Sequence, residues 1–337
     1  MDWKTALYQY VRYKNESEIQ PSKAEQHLPY LSESCVRRQA ARVRLLAEWY
    51  REREIRTLLS ETRLRIARVS VAEADIQADI ELTRSFDYEL RGVAHTERRI
   101  DRERVYLTLA ADGWKVRRVE PQVPEKPQGV FSFDPEISFF SETLPEAADP
   151  PAAPYMNPVL FRSGAPSSRR IAYDRAKVRQ YADRWWNSAN PDYIRFAVDC
   201  SNYVSQCLHA GGAPMHFTGR RDAGWWYRGR VNGKELWSYS WAVAHSLCRY
   251  LSASTSGLRA ERVDSPQQLT IGDVISYDWD GNGHFQHSTI VAAVDARGMP
   301  LVNAHTTESY HRYWDYRDSY AWTERTAYRF FHIPDEL

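Results

Sequence analysis

The stretch DCSNYVSQCLHAGG, residues 199–212, decides how the second half of this chain folds. After Cys200, apolar residues recur at helical spacing, and the glycine pair at 211–212 supplies a helix stop. Asp199 is a suitable N-cap. A cysteine in the first turn of a helix faces unpaired backbone N–H groups and the positive end of the helix dipole, which both favour the thiolate. The stretch therefore predicts a helix that presents Cys200 as a nucleophile, although most free cysteines are simply small buried apolar residues.

Two further stretches predict strands downstream of that helix. LTIGDVISY at residues 269–277 and HSTIVAAV at residues 287–294 are short, β-branched and bounded by turn residues. A turn at residues 296–298 leads to a return strand, LVNAH at residues 301–305. His287 opens one arm of this hairpin and His305 closes the other, so the two ends lie side by side. The two side chains share one face of the sheet only if the register is even, which the sequence leaves open.

A cysteine at a helix start, a histidine on a strand and a polar residue on the next strand form the nucleophile, base and orienting group of thiol hydrolases. Residues 171–337 resemble the putative amidase domain family, a branch of the papain-like cysteine hydrolases related to NlpC/P60 and CHAP domains. The motifs are DCSNYVSQCL at 199–208, GDVI at 272–275 and AHT at 304–306. The resemblance implies an α+β fold, in which a papain-like, NlpC/P60-like domain packs its helix-borne cysteine on an antiparallel sheet, and hydrolysis of an amide bond.

The resemblance also assigns roles to individual residues. His287 takes the proton of Cys200, the thiolate attacks an amide carbonyl to form a thioester, and His287 then protonates the leaving amine and activates water. The backbone N–H of Cys200 is the expected oxyanion donor. By the family motif His305 orients His287, and Asn303 is the alternative because it lies on the same strand face as His305. The carboxylate of Asp199 would raise the pKa of the thiol if it faced it.

Aromatic residues between the nucleophile helix and the strands predict either a cleft wall or a core. Most of them suit a core, since aromatic side chains bury large areas. Trp225 and Trp226 stand beside a glycine and an arginine and are the better candidates for substrate binding, together with Asp199.

The loop before the second strand raises two other hypotheses. His284 is a rival to His287 as the base, but a rigid strand positions a catalytic group better than a glycine-rich loop does. DWDGNG at residues 278–283 matches the first half of a calcium loop, yet the twelfth position is Thr289 rather than glutamate and no helix precedes it. We therefore expect no metal and no cofactor.

The first half of the chain predicts a smaller α+β domain over residues 1–120. Helices are expected over Trp3–Tyr13 and Cys35–Leu59, followed by four strands. A helix cupped by a curved antiparallel sheet resembles the NTF2-like or cystatin-like class, and without a catalytic set the default role is binding or scaffolding. Proline-rich residues 121–170 predict a semi-extended linker to the hydrolase domain at 171–337. The predicted strands are Thr62–Val71, Asp79–Leu90, Glu97–Ala110 and Trp114–Val119.

Composition excludes several classes of protein. The 337 residues suit two domains, and 45 Lys and Arg against 44 Asp and Glu leave no footprint for a nucleic-acid partner. No apolar stretch approaches the length of a membrane span, and the N-terminus does not read as a signal peptide. Four cysteines without a disulfide framework suit a reducing compartment, so the cytoplasm is the default expectation.

These observations predict a cysteine-dependent amide hydrolase acting on a peptide or amide substrate through Cys200, His287 and either His305 or Asn303. Peptidoglycan peptides are a candidate substrate only by analogy with related families. Two alternatives stay open. The same thioester could serve an acyltransferase or transglutaminase-like reaction, or the domain could be a catalytically silent module that binds through an aromatic cleft.

Overall fold

The computed structural model describes residues 2–126, 147–149, 171–231 and 234–337. The chain divides into two compact units: unit 1 comprises Met1–Val123 and Asp315–Trp322, and unit 2 comprises Pro124–Trp314 and Thr323–Leu337. Of the predicted linker at 121–170, residues 127–146 and 150–170 lie outside the described residues.

Unit 1 begins with two helices whose first turns are capped by the side chain that precedes them. Helix α1 spans Trp3–Ile19, and the carboxylate of Asp2 accepts a hydrogen bond from the backbone N–H of Thr5 at 2.7 Å. Helix α2 spans Glu33–Glu52, with Ser32 in the same capping position. A 3₁₀ turn at residues 21–25 lies between them.

Helix α2 is shorter than the sequence predicts. The helical pattern extends to Leu59, but the helix ends at Glu52 and a strand begins at Arg56. Glu54 between them has φ 57°, in the left-handed region that interrupts a right-handed helix. Long-range strand pairing therefore overrides the local helical pattern over the last residues of the predicted helix.

Four antiparallel strands complete the sheet of unit 1 in the order β1-β2-β3-β4. All four predicted strands are present, and each is longer than predicted. Alternate residues of β2 from Ile76 to Leu82 are buried against α1, which is the pattern of a strand with one covered face. The strands are β1 (Arg56–Ala72), β2 (Asp75–Leu90), β3 (Val93–Ala110) and β4 (Gly113–Gln122).

A segment from far along the chain, Asp315–Trp322, belongs to unit 1. The indole N–H of Trp49 in α2 donates to the carboxylate of Asp315 at 3.0 Å. The guanidinium of Arg99 in β3 forms an ion pair with Asp318. Unit 1 is therefore completed by residues that no reading of the first half of the chain would include.

Unit 2 begins with its helices and two short antiparallel pairs of strands. Strand β5 pairs with β6, and β7 pairs with β8. The elements are β5 (Ala147–Asp149), α3 (Arg175–Trp185), β6 (Arg195–Phe196), α4 (Cys200–Ala210), β7 (Tyr227–Val231), β8 (Lys234–Trp237), α5 (Tyr239–Ala242) and α6 (Ala244–Ala253).

The main sheet of unit 2 is antiparallel, in the order β13-β12-β11-β10-β14-β9. The predicted hairpin is present as β11 and β12, and the α+β class is confirmed. The strands are β9 (Glu261–Val263), β10 (Val274–Asp278), β11 (His287–Val294), β12 (Pro300–Ala304), β13 (Ser309–Tyr313) and β14 (Ala327–His332).

The core of unit 2 lies between the helices and one face of this sheet. Ile290 and Ala292 of β11 pack in the same apolar cluster as Tyr203, Val204 and Cys207 of α4. Because successive side chains of a strand point to opposite faces, this packing decides which residues of β11 face the helix that begins at the predicted nucleophile.

Candidate active site

Cys200 is the first residue of α4, and its side chain is only 2% exposed. Asp199 stands in the N-cap position, but its carboxylate makes no capping bond to the helix. Its Oδ1 instead accepts hydrogen bonds from the backbone N–H of Phe196 at 3.0 Å and from the side-chain amide of Asn202 at 2.8 Å. The predicted helix start is present, with its nucleophile candidate buried.

The hydroxyl of Thr306 holds the backbone at this helix start. Its Oγ1 accepts hydrogen bonds from the backbone N–H of Asp199 at 3.0 Å and of Cys200 at 3.1 Å. Thr306 has φ 79°, a conformation that β-branched residues rarely adopt, so the surrounding contacts hold it under strain. The amide of Cys200 predicted to serve the oxyanion is therefore already bonded to Thr306. Sequence analysis gave this threonine no role, although it lies in the AHT motif.

Burial raises the pKa of the Cys200 thiol, and the negative charge of Asp199 raises it further. Three groups act in the opposite direction: the backbone N–H of Ser288, the hydroxyl of Ser201, whose oxygen lies 3.8 Å from the sulfur, and the backbone N–H of Ser201. The net shift is upward, so the thiol is protonated at neutral pH. The helix start alone predicts a thiolate, and desolvation of the buried sulfur outweighs that effect.

His287 is the first residue of β11 and is fully buried. It lies opposite Tyr277 of β10, with the two ring centroids 5.5 Å apart, and its ring stacks on Trp279 at 5.8 Å. Burial lowers the pKa of His287 to about 3, and the charge of Arg312 contributes to the same shift. The imidazole is therefore uncharged at neutral pH, the form that can accept a proton.

The register of the hairpin separates His287 from the residues predicted to orient it. The hydroxyl of Ser201 donates to that of Ser288 at 3.4 Å, so Ser288 faces α4 and His287 points to the other face of the sheet. Asn303 lies opposite Ile290, which also faces the helices. By this alternation His287 lies on a different face of the sheet from Asn303 and from α4, so a triad of Cys200, His287 and Asn303 stays a prediction.

His305 contacts Asp199 and the end of α3. Its Nδ1 lies 2.7 Å from Oδ2 of Asp199, its Nε2 lies 2.6 Å from the carbonyl oxygen of Trp185, and its ring stacks on Tyr203 at 4.0 Å. Both contacts of the ring are to oxygens that accept hydrogen bonds from a ring N–H. The ring thus lies against the carboxylate whose charge raises the pKa of the Cys200 thiol.

Asn303 joins a second polar cluster. Its side-chain amide donates to Asp183 at 3.0 Å, and its oxygen accepts from the backbone N–H of His311 at 2.7 Å. The ring of His311 also lies 3.0 Å from the same oxygen of Asp183. These contacts tie β12 to α3. No local pattern predicts this cluster, because Asp183 and His311 lie 128 residues apart along the chain.

The two tryptophans predicted to line a substrate cleft are buried. Trp225 is a core residue whose indole N–H donates to Ser205 at 3.0 Å, and it packs on Trp241 with the ring centroids 4.9 Å apart. Trp226 is bonded to backbone carbonyls, including that of Ala223 at 3.0 Å. Both side chains are buried in this structure, as large aromatic side chains usually are, and a role for them in substrate binding stays a prediction.

The calcium-like loop forms a turn closed by its first residue. The carboxylate of Asp278 accepts hydrogen bonds from the backbone N–H of Asp280, Gly281 and Gly283 at 3.2, 2.9 and 2.6 Å. Within the described ranges, no group of three or more His, Cys, Asp or Glu side chains is placed to hold a metal ion. Nor does any helix in those ranges combine the length and apolar character needed to cross a membrane.

Comparison with known proteins supports the resemblance of the second half of the chain. Residues 172–331 match the family model of the putative amidase domain, which confirms that prediction and indicates a hydrolase. The Bacillus subtilis (strain 168) protein named Uncharacterized protein YhbB is 52% identical over 168 residues, which cover 50% of this chain and 52% of that protein. The chain thus spans about half the length of this curated relative.

One solved structure, the intermembrane space region of chloroplast protein ARC6, matches 36% of this chain and 96% of its own. The identity is 15% and the TM-score is 0.29, a likeness that carries no argument about fold or function.

Proposed function

We propose that the putative amidase domain at residues 172–331 is a cysteine-dependent hydrolase, with Cys200 as nucleophile and His287 as proton acceptor. The observation that carries this proposal is the position of Cys200. It is the first residue of a buried helix inside the matched region, and its sulfur lies beside the backbone N–H of Ser288, which directly follows His287. The papain-like, NlpC/P60-like classification belongs to the same proposal.

The resting site holds both reacting groups in their neutral forms. Burial raises the pKa of Cys200 and lowers that of His287. Transfer of the proton from sulfur to imidazole creates two charges, which a buried site disfavours until a polar substrate or water enters. The thiolate then attacks the amide carbonyl, His287 returns the proton to the leaving amine, and water releases the acyl group from the thioester.

His305 supports this reaction as the partner of Asp199. The Asp199 carboxylate beside the sulfur opposes formation of the thiolate, and a hydrogen bond donated by the ring of His305 reduces that effect. In this proposal His305 acts on the nucleophile through Asp199, whereas the motif alone assigns it to His287.

Thr306 controls the expected oxyanion donor. While its hydroxyl accepts the N–H of Cys200, that N–H is occupied. A substrate carbonyl oxygen in place of that hydroxyl would accept hydrogen bonds from the backbone N–H groups of both Cys200 and Asp199. The two donors converge on one point, as an oxyanion hole requires.

The experiment offers the protein a panel of peptide amides, including peptidoglycan peptides, and follows both product release and acyl-enzyme by mass spectrometry. Cys200→Ser and His287→Asn should abolish hydrolysis, whereas Cys207→Ser, a buried cysteine of the same helix, should retain it. Hydrolysis by the Cys200→Ser variant at the parent rate would refute the proposal.

The same assay separates the alternatives. An added amine that captures the acyl group in preference to water would indicate an acyltransferase. The raised pKa of the buried thiol favours a binding module as the second candidate. Binding of a peptide without any acyl-enzyme, in a protein whose Cys200 labels slowly with iodoacetamide regardless of His287, would establish that alternative.

A further inference from the structure

The residues Pro124–Lys126, here called the strap, lie in unit 2 against the face of the sheet that carries His287. The carbonyl oxygen of Glu125 accepts a hydrogen bond from the indole N–H of Trp279 at 2.9 Å. The ring of Trp279 in turn stacks on that of His287. The strap is thus one aromatic ring away from the proposed base.

A second contact ties the strap to the nucleophile side of the site. The hydroxyl of Thr307 donates to the carboxylate of Glu125, a residue that is only 2% exposed. Thr307 directly follows Thr306, the residue that holds the backbone N–H of Cys200. A third contact, the ion pair of Lys126 with Asp280 at 2.7 Å, lies at the surface and adds little.

The carboxylate of Glu125 is linked to a buried cation. Arg312, 2% exposed, donates to the hydroxyl of Ser309 at 3.3 Å, and that hydroxyl donates to the carbonyl oxygen of Thr307 at 2.9 Å. The charge of Arg312 also acts on His287, whose pKa it helps to lower. A buried guanidinium favours an anion nearby, because an uncompensated buried charge is costly.

An amide substrate must displace protein to reach this site. Cys200 is 2% exposed and His287 is fully buried, so the carbonyl carbon of a substrate has no access while the present contacts last. The strap contacts Trp279, which stacks on His287, and Thr307, which follows the Thr306 that bonds Cys200, through a peptide carbonyl and an acidic side chain.

We propose that the strap is an internal pseudosubstrate: it occupies the substrate cleft, and the cleft takes a peptide with an acidic side chain in the place of Glu125. The identification of this cleft as a substrate cleft rests on the hydrolase function proposed above. The strap keeps the site closed in this state, and its departure admits the substrate.

The test compares Glu125→Ala with Glu120→Ala in the full-length protein, by the rate at which iodoacetamide labels Cys200. Glu120 lies five residues earlier and bonds Tyr106 and Arg118 in unit 1. Glu125→Ala should label about tenfold faster, the factor expected when one charged hydrogen bond of the closed state is lost. Glu120→Ala should label at the parent rate. Equal rates for the two variants would overturn the proposal.

Two further measurements keep the outcome decisive. Glu125→Gln preserves the shape of the side chain, and should accelerate labelling in the same direction even if Glu125→Ala folds poorly. A synthetic peptide PQVPEK, residues 121–126, should slow the labelling of Cys200 in Glu125→Ala. The same peptide with glutamine in place of its glutamate should not slow it. Two peptides of equal effect would refute an acidic preference of the cleft.

The two proposals fail in different ways. Accelerated labelling of Glu125→Ala without hydrolysis of any acidic peptide amide would support the strap as a cover over Cys200 and refute the proposed hydrolase function. Equal rates of peptide amide hydrolysis by Glu125→Ala and Glu120→Ala would support the hydrolase function and refute the proposed role of the strap.

Discussion

At the scale of single residues, burial decides the protonation of the proposed nucleophile and the proposed base. His287 and Cys200 are shifted in opposite directions, and both shifts have desolvation as their main cause. Both groups are therefore neutral near pH 7. Neither direction can be read from the residue type or from the helix start, because desolvation depends on what the rest of the chain packs around the two side chains.

The lowered pKa of His287 makes stability depend on pH. The folded-state pKa of about 3 lies below the ordinary value of about 6.5. The stability that neutral His287 contributes is therefore fully present above pH 6.5 and is lost as the pH falls towards 3. In that window we expect His287 to account for a slope of up to about 1.4 kcal/mol per pH unit. Urea unfolding of the parent protein and His287→Asn from pH 7 to 4 measures it, with His284→Asn as the control. Parallel profiles for the parent and His287→Asn would contradict this prediction.

The pairing of His305 with Asp199 predicts an electrostatic effect on the thiol. His305→Gln leaves the carboxylate of Asp199 uncompensated and should raise the pKa of Cys200 further, slowing its alkylation at neutral pH roughly tenfold. The double variant with Asp199→Asn should recover the parent rate. The pH profile of alkylation distinguishes this effect from a structural one: a His305→Gln profile that keeps its midpoint would assign the pair to folding alone.

At the scale of elements, the start of α4 depends on a hydroxyl from a distant loop. Thr306→Val keeps the β-branched shape but leaves the buried N–H groups of Asp199 and Cys200 without their acceptor. Each orphaned group costs about 1–3 kcal/mol, so for the two groups we expect a loss of roughly 2–6 kcal/mol in the free energy of unfolding. Thr306→Ser should stay within about 1 kcal/mol of the parent. Denaturant unfolding measures both variants, and equal stabilities would show that the hydroxyl is dispensable.

The elements also show where local patterns are sufficient. The helix at Cys200 and its end at the glycine pair follow from apolar spacing and turn residues, which act within a few positions along the chain. The predicted strand pair of β11 and β12 follows for the same reason. Helix α2 ends earlier than its pattern predicts, because pairing with β2 recruits the following residues into β1.

At the scale of the whole molecule, unit 1 contains buried ion pairs that constrain its fold. Glu18 of α1 pairs with Arg84 of β2 and accepts hydrogen bonds from Tyr50 at 2.7 Å and Ser60 at 2.9 Å. These three partners come from three different elements: α2, β1 and β2. The carboxylate thus joins both helices to the sheet.

Removal of this carboxylate should destabilise unit 1 strongly. Glu18→Ala removes the closer carboxylate partner of the buried Arg84, whose second partner, Asp101, lies 3.7 Å away, and we expect a loss of about 3 kcal/mol in the free energy of unfolding. Glu16→Ala on the same helix removes an exposed pair with Arg12 and should change stability by about 1 kcal/mol or less. Chemical unfolding of the two variants tests the difference, and similar losses would mean that the buried pair is not special.

The sequence by itself determined the local elements, the nucleophile motif and the resemblance to the putative amidase domain, because each is encoded within a short run of residues. Tertiary structure alone decided the rest. The hairpin register turned His287 away from Asn303, packing buried Cys200 and His287, and Asp315–Trp322 joined unit 1. These outcomes depend on contacts between residues far apart along the chain, and such contacts form only when the whole chain packs.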